Sequence, residues 1–165
     1  MMKVAYADPP YIGQGKRYPE KTEVDQEGLI NQMTHFYSSW TLSCSSSSLK
    51  ELLSYCPSDI RIGAWVKPFC SFKPNVNPAY AWEPVIFWHP RARDRKVATV
   101  RDWVSVNITL RKGLVGAKPP EFCFWLFNLL GLQPDDEFCD LYPGTGVVTK
   151  CWETYKSQSI MRLEV

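Results

Sequence analysis

The chain lacks most of what would commit it to a metal, a membrane or a disulfide scaffold. It has only two histidines, His35 and His89, and no two of its six cysteines (Cys44, Cys56, Cys70, Cys123, Cys139, Cys151) are spaced C-x-x-C. Zinc sites draw on such spacings, so no metal site is expected. No apolar run approaches the ~18 residues that a membrane span needs. No signal peptide is expected, because Met1-Met2-Lys3 leads straight into a short apolar run. The expected setting is a reducing cytoplasm with free, mostly buried thiols. Strong charge is also missing. The net charge is +2, so any nucleic-acid surface must be a local patch. Neither an internal repeat nor an interdomain linker stands out, and the 165 residues suit a single domain, 1–165.

Aromatic residues, by contrast, are plentiful: seven Trp, eight Tyr and eight Phe. Most of them must pack a core, but a few exposed rings would suit base stacking. Hydrophobic residues make up 45% and charged residues 22%, the balance of an ordinary soluble core.

Residues 3–7 read as a strand, followed by a Gly-rich loop that Pro19 closes. Leu29, Ile30, Met33 and Phe36 recur at helical spacing, with Asp25 as cap. Trp40 to Cys44 reads as a strand. Ser45 to Ser48 reads as the N-cap of a helix beginning at Leu49. Ile60 to Val66 is a third strand, and Pro84–Trp88 and Val104–Ile108 are expected to pair. Pro119-Pro120 opens a helix that Gly131 ends. Glu137–Leu141 is a strand, 147–156 a helix and Ile160–Leu163 a last short strand. Strands and helices alternate, which predicts a three-layer α/β fold with a mostly parallel sheet.

The most informative residues are Asp8-Pro9-Pro10-Tyr11, directly after the first strand. A carboxylate at a strand's C-terminal end sits where open α/β sheets place ligands. The two prolines fix the backbone and so the angle of their carbonyls. Acceptor, rigid carbonyl and aromatic ring together suit a flat group bearing an exocyclic NH2. A second candidate is Asp140-Leu141-Tyr142-Pro143-Gly144-Thr145-Gly146, a glycine turn between a strand and a helix. Glycines there let backbone approach a ligand, and the helix start offers free N–H groups. Thr149 stands where a dinucleotide fingerprint has its third glycine, so this is not an NAD site. Glu164 lies 20 residues beyond Gly144, about the spacing of a ribose-binding acid.

Asp8-Pro9-Pro10-Tyr11 resembles the catalytic motif of the DNA amino-methyltransferases, which methylate adenine N6 or cytosine N4 from S-adenosylmethionine. Asp140 to Gly146 is similar to that family's cofactor motif, and Lys118-Pro119-Pro120 with its apolar helix to the segment beneath the cofactor's methionine end. The stretches Gly63–Phe69 and Ala81–Phe87 also look like small phage-borne members. The catalytic motif comes first, as in the circularly permuted class. The resemblance spans nearly all of the chain. It implies a minimal, permuted, Rossmann-like methyltransferase fold with a catalytic-motif half (1–69), a hairpin and basic loop facing DNA (70–117) and a cofactor-binding half (118–165). Asp8, Pro9, Pro10 and Tyr11 would be catalytic. Asp8, Lys118, Asp140, Tyr142, Gly144, Thr145, Gly146 and Glu164 would hold the cofactor. The setting would be the cytoplasm of a bacterium or of a phage-infected host.

Asp first in the motif is the commoner form for adenine, whereas cytosine-N4 enzymes more often carry Ser, and relatives acting on RNA usually have Trp at the position of Tyr11. The implied activity is adenine-N6 methylation of DNA. The alternatives are cytosine-N4 or RNA methylation, or a non-catalytic module that keeps the fold. For DNA contact the candidates are Lys16 and Arg17 beside the catalytic loop, and Arg91, Arg93, Arg95 and Lys96. The latter four begin a stretch, 91–112, in which seven cations (with Arg101, Arg111 and Lys112) face Asp94 and Asp102. His35 and His89 read as structural. The family usually continues with a strand that helps hold the cofactor's adenine, which is not expected before Val165. No separate recognition domain is expected, so either residues 70–117 or a partner, a homodimer mate or sister subunit, is expected to supply specificity.

Overall fold

The computed structural model describes residues 1–17, 22–69, 75–109 and 117–163. Six strands form one sheet: β1 (Lys3–Ala7), β2 (Ser39–Ser43), β3 (Arg61–Val66), β4 (Trp82–Trp88), β5 (Trp103–Ser105) and β6 (Glu137–Asp140), in the spatial order β5-β3-β4-β2-β1-β6. Among the described residues four α-helices accompany them: α1 (Gln26–Phe36), α2 (Leu49–Tyr55), α3 (Pro120–Leu130) and α4 (Val147–Leu163). The sheet is mixed. β1 pairs in parallel with both β2 and β6, and β3 with β5, while β4 runs antiparallel between β2 and β3.

Period-two alternation divides the core into two layers. Val4 and Tyr6 of β1 join Trp65, Phe87, Phe122, Phe127 and Trp152 beneath α3 and α4. Ala5 and Ala7 point the other way and join Ile30, Met33, Trp40 and Leu52 beneath α1 and α2. The expected three layers are therefore present, and most aromatic rings are core, as in the Phe127–Trp152 edge contact at 5.4 Å.

Local signals set most element ends. The Asp25 carboxylate accepts from the Gly28 N–H at 2.9 Å and caps α1. Pro120 starts α3, and Gly131, at φ 69°, ends it while the Leu132 N–H reaches back to the Phe127 carbonyl at 3.0 Å. Ser48 does not cap α2 through its side chain. Ser45 does the local work instead, its hydroxyl oxygen accepting from the Ser48 N–H at 3.2 Å.

Two sequence expectations fail. The segment after Trp103 does not pair with β4 but adds to β3, where Gly63 leaves room for the Asp102 carbonyl: a Cβ on Gly63 would lie 2.7 Å from that oxygen. Residues 160–163 are not a strand, because α4 continues through Leu163 with no glycine or proline after Gly146 to stop it. The strand that was to precede Glu164 is thus helix, and Glu164 itself lies outside the described residues.

One brace ties the sheet edge to the far end of α3. The fully buried Asp136 carboxylate accepts from the Arg91 guanidinium at 2.6 and 2.7 Å, from the Gln133 N–H at 2.8 Å and from the Met2 N–H at 2.5 Å. Burial opposes the charge, but these donors hold the carboxyl below its usual range. That contribution to stability is present above the ordinary carboxylate pKa and is lost as pH falls through the lowered one. Arg91→Met should cost about 3 kcal/mol by leaving a buried charge unpaired. That corresponds to a drop of roughly 6–12 °C in thermal melting followed by circular dichroism at pH 7. A drop under ~2 °C would show the brace to be idle.

Candidate active site

β1 and β6 end side by side. In their parallel register Tyr6 lies opposite Asp140, and the Leu141 N–H donates to the Tyr6 carbonyl at 2.9 Å. Asp8-Pro9-Pro10-Tyr11 therefore leaves the sheet next to Asp140–Gly146, although 132 positions separate Asp8 from Asp140 in the chain. Both motifs sit at the C-terminal ends of parallel strands, where α/β sheets bind ligands.

Asp8 keeps 23% exposure of its side chain, and its Oδ2 lies 3.0 Å from the Lys118 Nζ. Lys118 sits just before α3 and is 5% exposed. Its ammonium also meets Glu83 Oε2 at 3.2 Å, and the other Glu83 oxygen accepts from Lys67. Four segments thus contribute an alternating row, Asp8, Lys118, Glu83 and Lys67. Trp65 and Phe122 form its apolar floor, their ring centroids 5.3 and 5.7 Å from the Lys118 Nζ. Burial pushes the Asp8 carboxyl up, with Lys118 pulling it back. Burial also works against the Lys118 charge, but Asp8, Tyr6 and Glu83 together hold its ammonium above the usual lysine value. Glu83 stays low because its two lysines outweigh its burial.

The rest of the first motif is held just as closely. The Pro10 carbonyl accepts from Gln26 Nε2 at 3.2 Å. Pro9, Pro10 and Tyr11 close against Ser43, Cys44, Ser48 and Leu52 in a seam too tight for water. Burial raises the Tyr11 hydroxyl far above the ordinary range, helped by Asp8 and Glu83, so the phenol stays neutral. Glu23 accepts from the N–H groups of Gly13 and Gly15, each at 3.1 Å, and pins the loop that follows.

In the second motif, Gly144 and Gly146 take φ of 48° and 72°, conformations that favour glycine. Gly144 and Thr145 are exposed. Asp140 Oδ2 accepts weakly from Thr149 at 3.4 Å, while Oδ1 is buried with no hydrogen-bond partner among the described residues. A buried carboxylate oxygen without a donor is costly, and it is a ready acceptor for a ligand that brings one. Burial raises the Asp140 carboxyl to about 6, with the Tyr142 backbone N–H and Thr149 opposing. Asp8, Lys118, Asp140 and the glycine turn converge, then, on one end of the sheet.

The expected DNA-contacting residues separate. Arg91 is committed to Asp136 and, through its Nε, to the Gly131 carbonyl at 3.0 Å, so it braces the fold and does not face outward. Arg93 likewise donates to the carbonyls of Ala98 and Asn128. Arg95, Lys96 and Lys16 are exposed. Of Arg17 only the backbone is described, and Arg111 and Lys112 lie outside the described residues. His89 stacks on Trp88 and meets Asp59 at 2.7 Å, a local contact away from the site. Among the described residues no group of His, Cys, Asp and Glu is arranged to hold a metal, and no helix is long and apolar enough to cross a membrane.

Glu83 and Lys67 were not singled out from the sequence. The signal that could have found Glu83 is a carboxylate inside the run Trp82-Glu83-Pro84-Val85-Ile86-Phe87-Trp88, where burial demands a counter-charge.

The same arrangement of elements occurs in a solved structure. The chain shares the fold of M1.HpyAVI. Against the crystal structure of the M1.HpyAVI–SAM complex the TM-score is 0.66 at 12% identity, covering 94% of this chain and 78% of that one. Against the crystal structure of M1.HpyAVI it is 0.62 at 10% identity, covering 93% and 76%. No protein-family model matches the chain, and no curated protein matches it. The similarity establishes the Rossmann-like α/β fold, in line with the alternation of strands and helices in the sequence.

Two predictions follow from the electrostatics. Asp140 is raised from 3.8 to about 6, so the folded state holds its proton more tightly and stability falls as pH rises through that window. Asp140→Asn should remove this slope and raise the melting temperature at pH 7.5 by roughly 2–4 °C, for about 1 kcal/mol; an unchanged melting curve would mean the carboxylate is solvated. Lys118→Met and Glu83→Gln should move the Asp8 titration in opposite directions, up and down respectively. Carbon-detected NMR of labelled aspartate in the full chain reads this directly. Shifts of the same sign would refute the alternating row.

Proposed function

We propose that the chain transfers a methyl group from S-adenosylmethionine to the exocyclic N6 of adenine in DNA. The observation that carries this reading is the unpartnered Asp140 oxygen beside the glycine turn, one strand away from the rigid Asp8 corner. An electrophilic methyl and an amine must meet at one point, and the β1–β6 pairing provides adjacent places for each. The SAM complex of a protein with this fold supports the choice of donor.

Asp140, Tyr142 and the turn at Gly144–Gly146 would hold the cofactor, with Asp140 accepting from one of its N–H or hydroxyl donors. Bound there, S-adenosylmethionine supplies a sulfonium-activated methyl. This chain's residues do the rest. Asp8 and the Pro9 carbonyl accept the two N–H bonds of the target amine. Those bonds favour a pyramidal nitrogen and localise its lone pair, which the ring otherwise draws in. Tyr11, neutral and fixed, gives the base a stacking face. A paired base cannot reach a corner this enclosed, so it is taken out of the duplex. Asp8 need not be a strong base, since the proton leaves the nitrogen after attack. Position and electrostatics supply most of the rate. Lys16, Arg95 and Lys96, exposed and cationic, suit the phosphate backbone.

Incubation with methyl-labelled cofactor and mixed DNA and RNA, followed by nucleoside analysis, tests the reading. N6-methyladenine in DNA is expected, with Asp8→Ala reducing it by at least about a thousandfold. Label in N4-methylcytosine or in RNA would reassign the substrate. No binding of S-adenosylmethionine up to millimolar concentration, read by calorimetry, would favour a non-catalytic module.

A further inference from the structure

An open cleft of about 490 Å³ lies beside the Asp8 corner, and neither sequence motif accounts for it. Ser46 and Ser47 line it together with the segment from Asn75 to Tyr80 and with Trp82, so it offers two hydroxyls, two amides and two aromatic residues among the smaller Val76, Pro78 and Ala79. Its size falls within the ~300–1,000 Å³ of small-ligand sites. Tyr80 and Trp82 are 54% and 40% exposed, far more than the chain's core aromatics. Among the described residues no charged side chain lines the cleft. Hydroxyls and amides there offer both donors and acceptors at the edge of two aromatic faces. That set suits a flat, uncharged heterocycle with mixed hydrogen-bonding edges, and does not suit a phosphate.

The serine side of the cleft is continuous with the catalytic corner. Ser46 and Ser47 belong to the same turn as Cys44 and Ser48, which pack on Pro9, Pro10 and Tyr11. The Ser45 and Ser48 hydroxyls are bonded to each other at 2.8 Å, closing that turn into a short partition. Trp82 and Glu83 are neighbours in β4 and face opposite sides of the sheet, so this edge of the cleft lies across the strand from the Asp8–Lys118–Glu83 row. Neither Asp8 nor Pro9 lines the cleft, so its occupant is not the reacting base. A base displaced from a stack leaves a neighbour with an uncovered face, and stacking on an aromatic ring restores that contact.

We propose that this cleft is a stacking site for the unpaired base adjacent to the target on the same nucleic-acid strand, with Tyr80 and Trp82 as its platforms and Ser46, Ser47, Asn75 and Asn77 reading its edge. This deepens the reading of the Asp8 corner as a base-modifying site and rests on it. The serine run, which looked like a helix cap in the sequence, thereby becomes the wall between two base positions.

The test is binding of the full chain to a fluorescent DNA oligonucleotide with one unpaired adenine tract, read by anisotropy without cofactor. Tyr80→Ala and Trp82→Ala should each weaken binding roughly tenfold. An abasic residue beside the target adenine should weaken wild-type binding by a similar factor and leave the two alanine variants almost unaffected. Tyr80→Phe and Trp82→Phe, which keep a ring and the fold, should bind within about twofold of wild type. Alanine variants that bind like wild type, or that still lose tenfold on the abasic strand, would overturn the proposal. So would free adenosine monophosphate binding as tightly as the oligonucleotide, which would assign the cleft to a free nucleotide. Because no methyl transfer is read, loss of this coupling in an active methyltransferase sinks the cleft alone, and intact coupling without activity sinks only the transferase reading.

Discussion

The parallel pairing of β1 with β6 is the contact on which the site depends. With Tyr6 opposite Asp140, each strand carries its own polar motif to the same edge of the sheet. A slip of one residue would turn Val4 and Tyr6 toward the wrong layer, so the two apolar cores hold the register that the chemistry needs. The Asp136–Arg91 brace at the far end of β6 secures the same pairing from below, because Asp136 also accepts from the Met2 N–H at the start of β1.

Around this edge, two carboxylates meet opposite fates. Asp8 is paired with a buried lysine, which in turn leans on Glu83 and Lys67, so its charge is held in place within an apolar surround. Asp140 has one oxygen with no donor among the described residues and a pKa near 6. One is a fixed acceptor supported by its neighbours, the other an acceptor waiting for a partner. Burial pushes both carboxyls up, and titratable groups perturbed in this way cluster at functional sites. The alternating row also leaves the corner close to neutral, which lets it receive a cationic ligand with little repulsion.

Much of this could be read in advance where the signal was local. The cap at Asp25, the Pro–Gly bounds of α3 and the buried apolar run of β1 follow from rules spanning a few residues, and each appears as expected. The reading failed where the deciding contact was distant. Residues 103–105 joined β3 because Gly63 admits their backbone, which no local pattern discloses. Residues 160–163 differed for a local reason: nothing interrupts α4 there, and Met161, Arg162 and Leu163 favour helix. Arg91 looked like a surface cation beside other cations, yet Asp136, 45 positions away, turned it inward.

By itself, the sequence determined the chemistry available: an acid, two prolines and a ring at one strand end, and a glycine turn after an acid at another. Their types and spacing are covalent facts, and the prolines and glycines limit backbone angles wherever they stand. Only the tertiary structure decided which of these groups meet. Lys118, Glu83 and Lys67 became partners of Asp8 because three strands and a helix start converge at one edge, and a charge leaving water must find its counter-charge there. The same convergence opened the cleft of Tyr80 and Trp82 beside the serine turn, for exposure, unlike residue type, is set by what the rest of the chain covers.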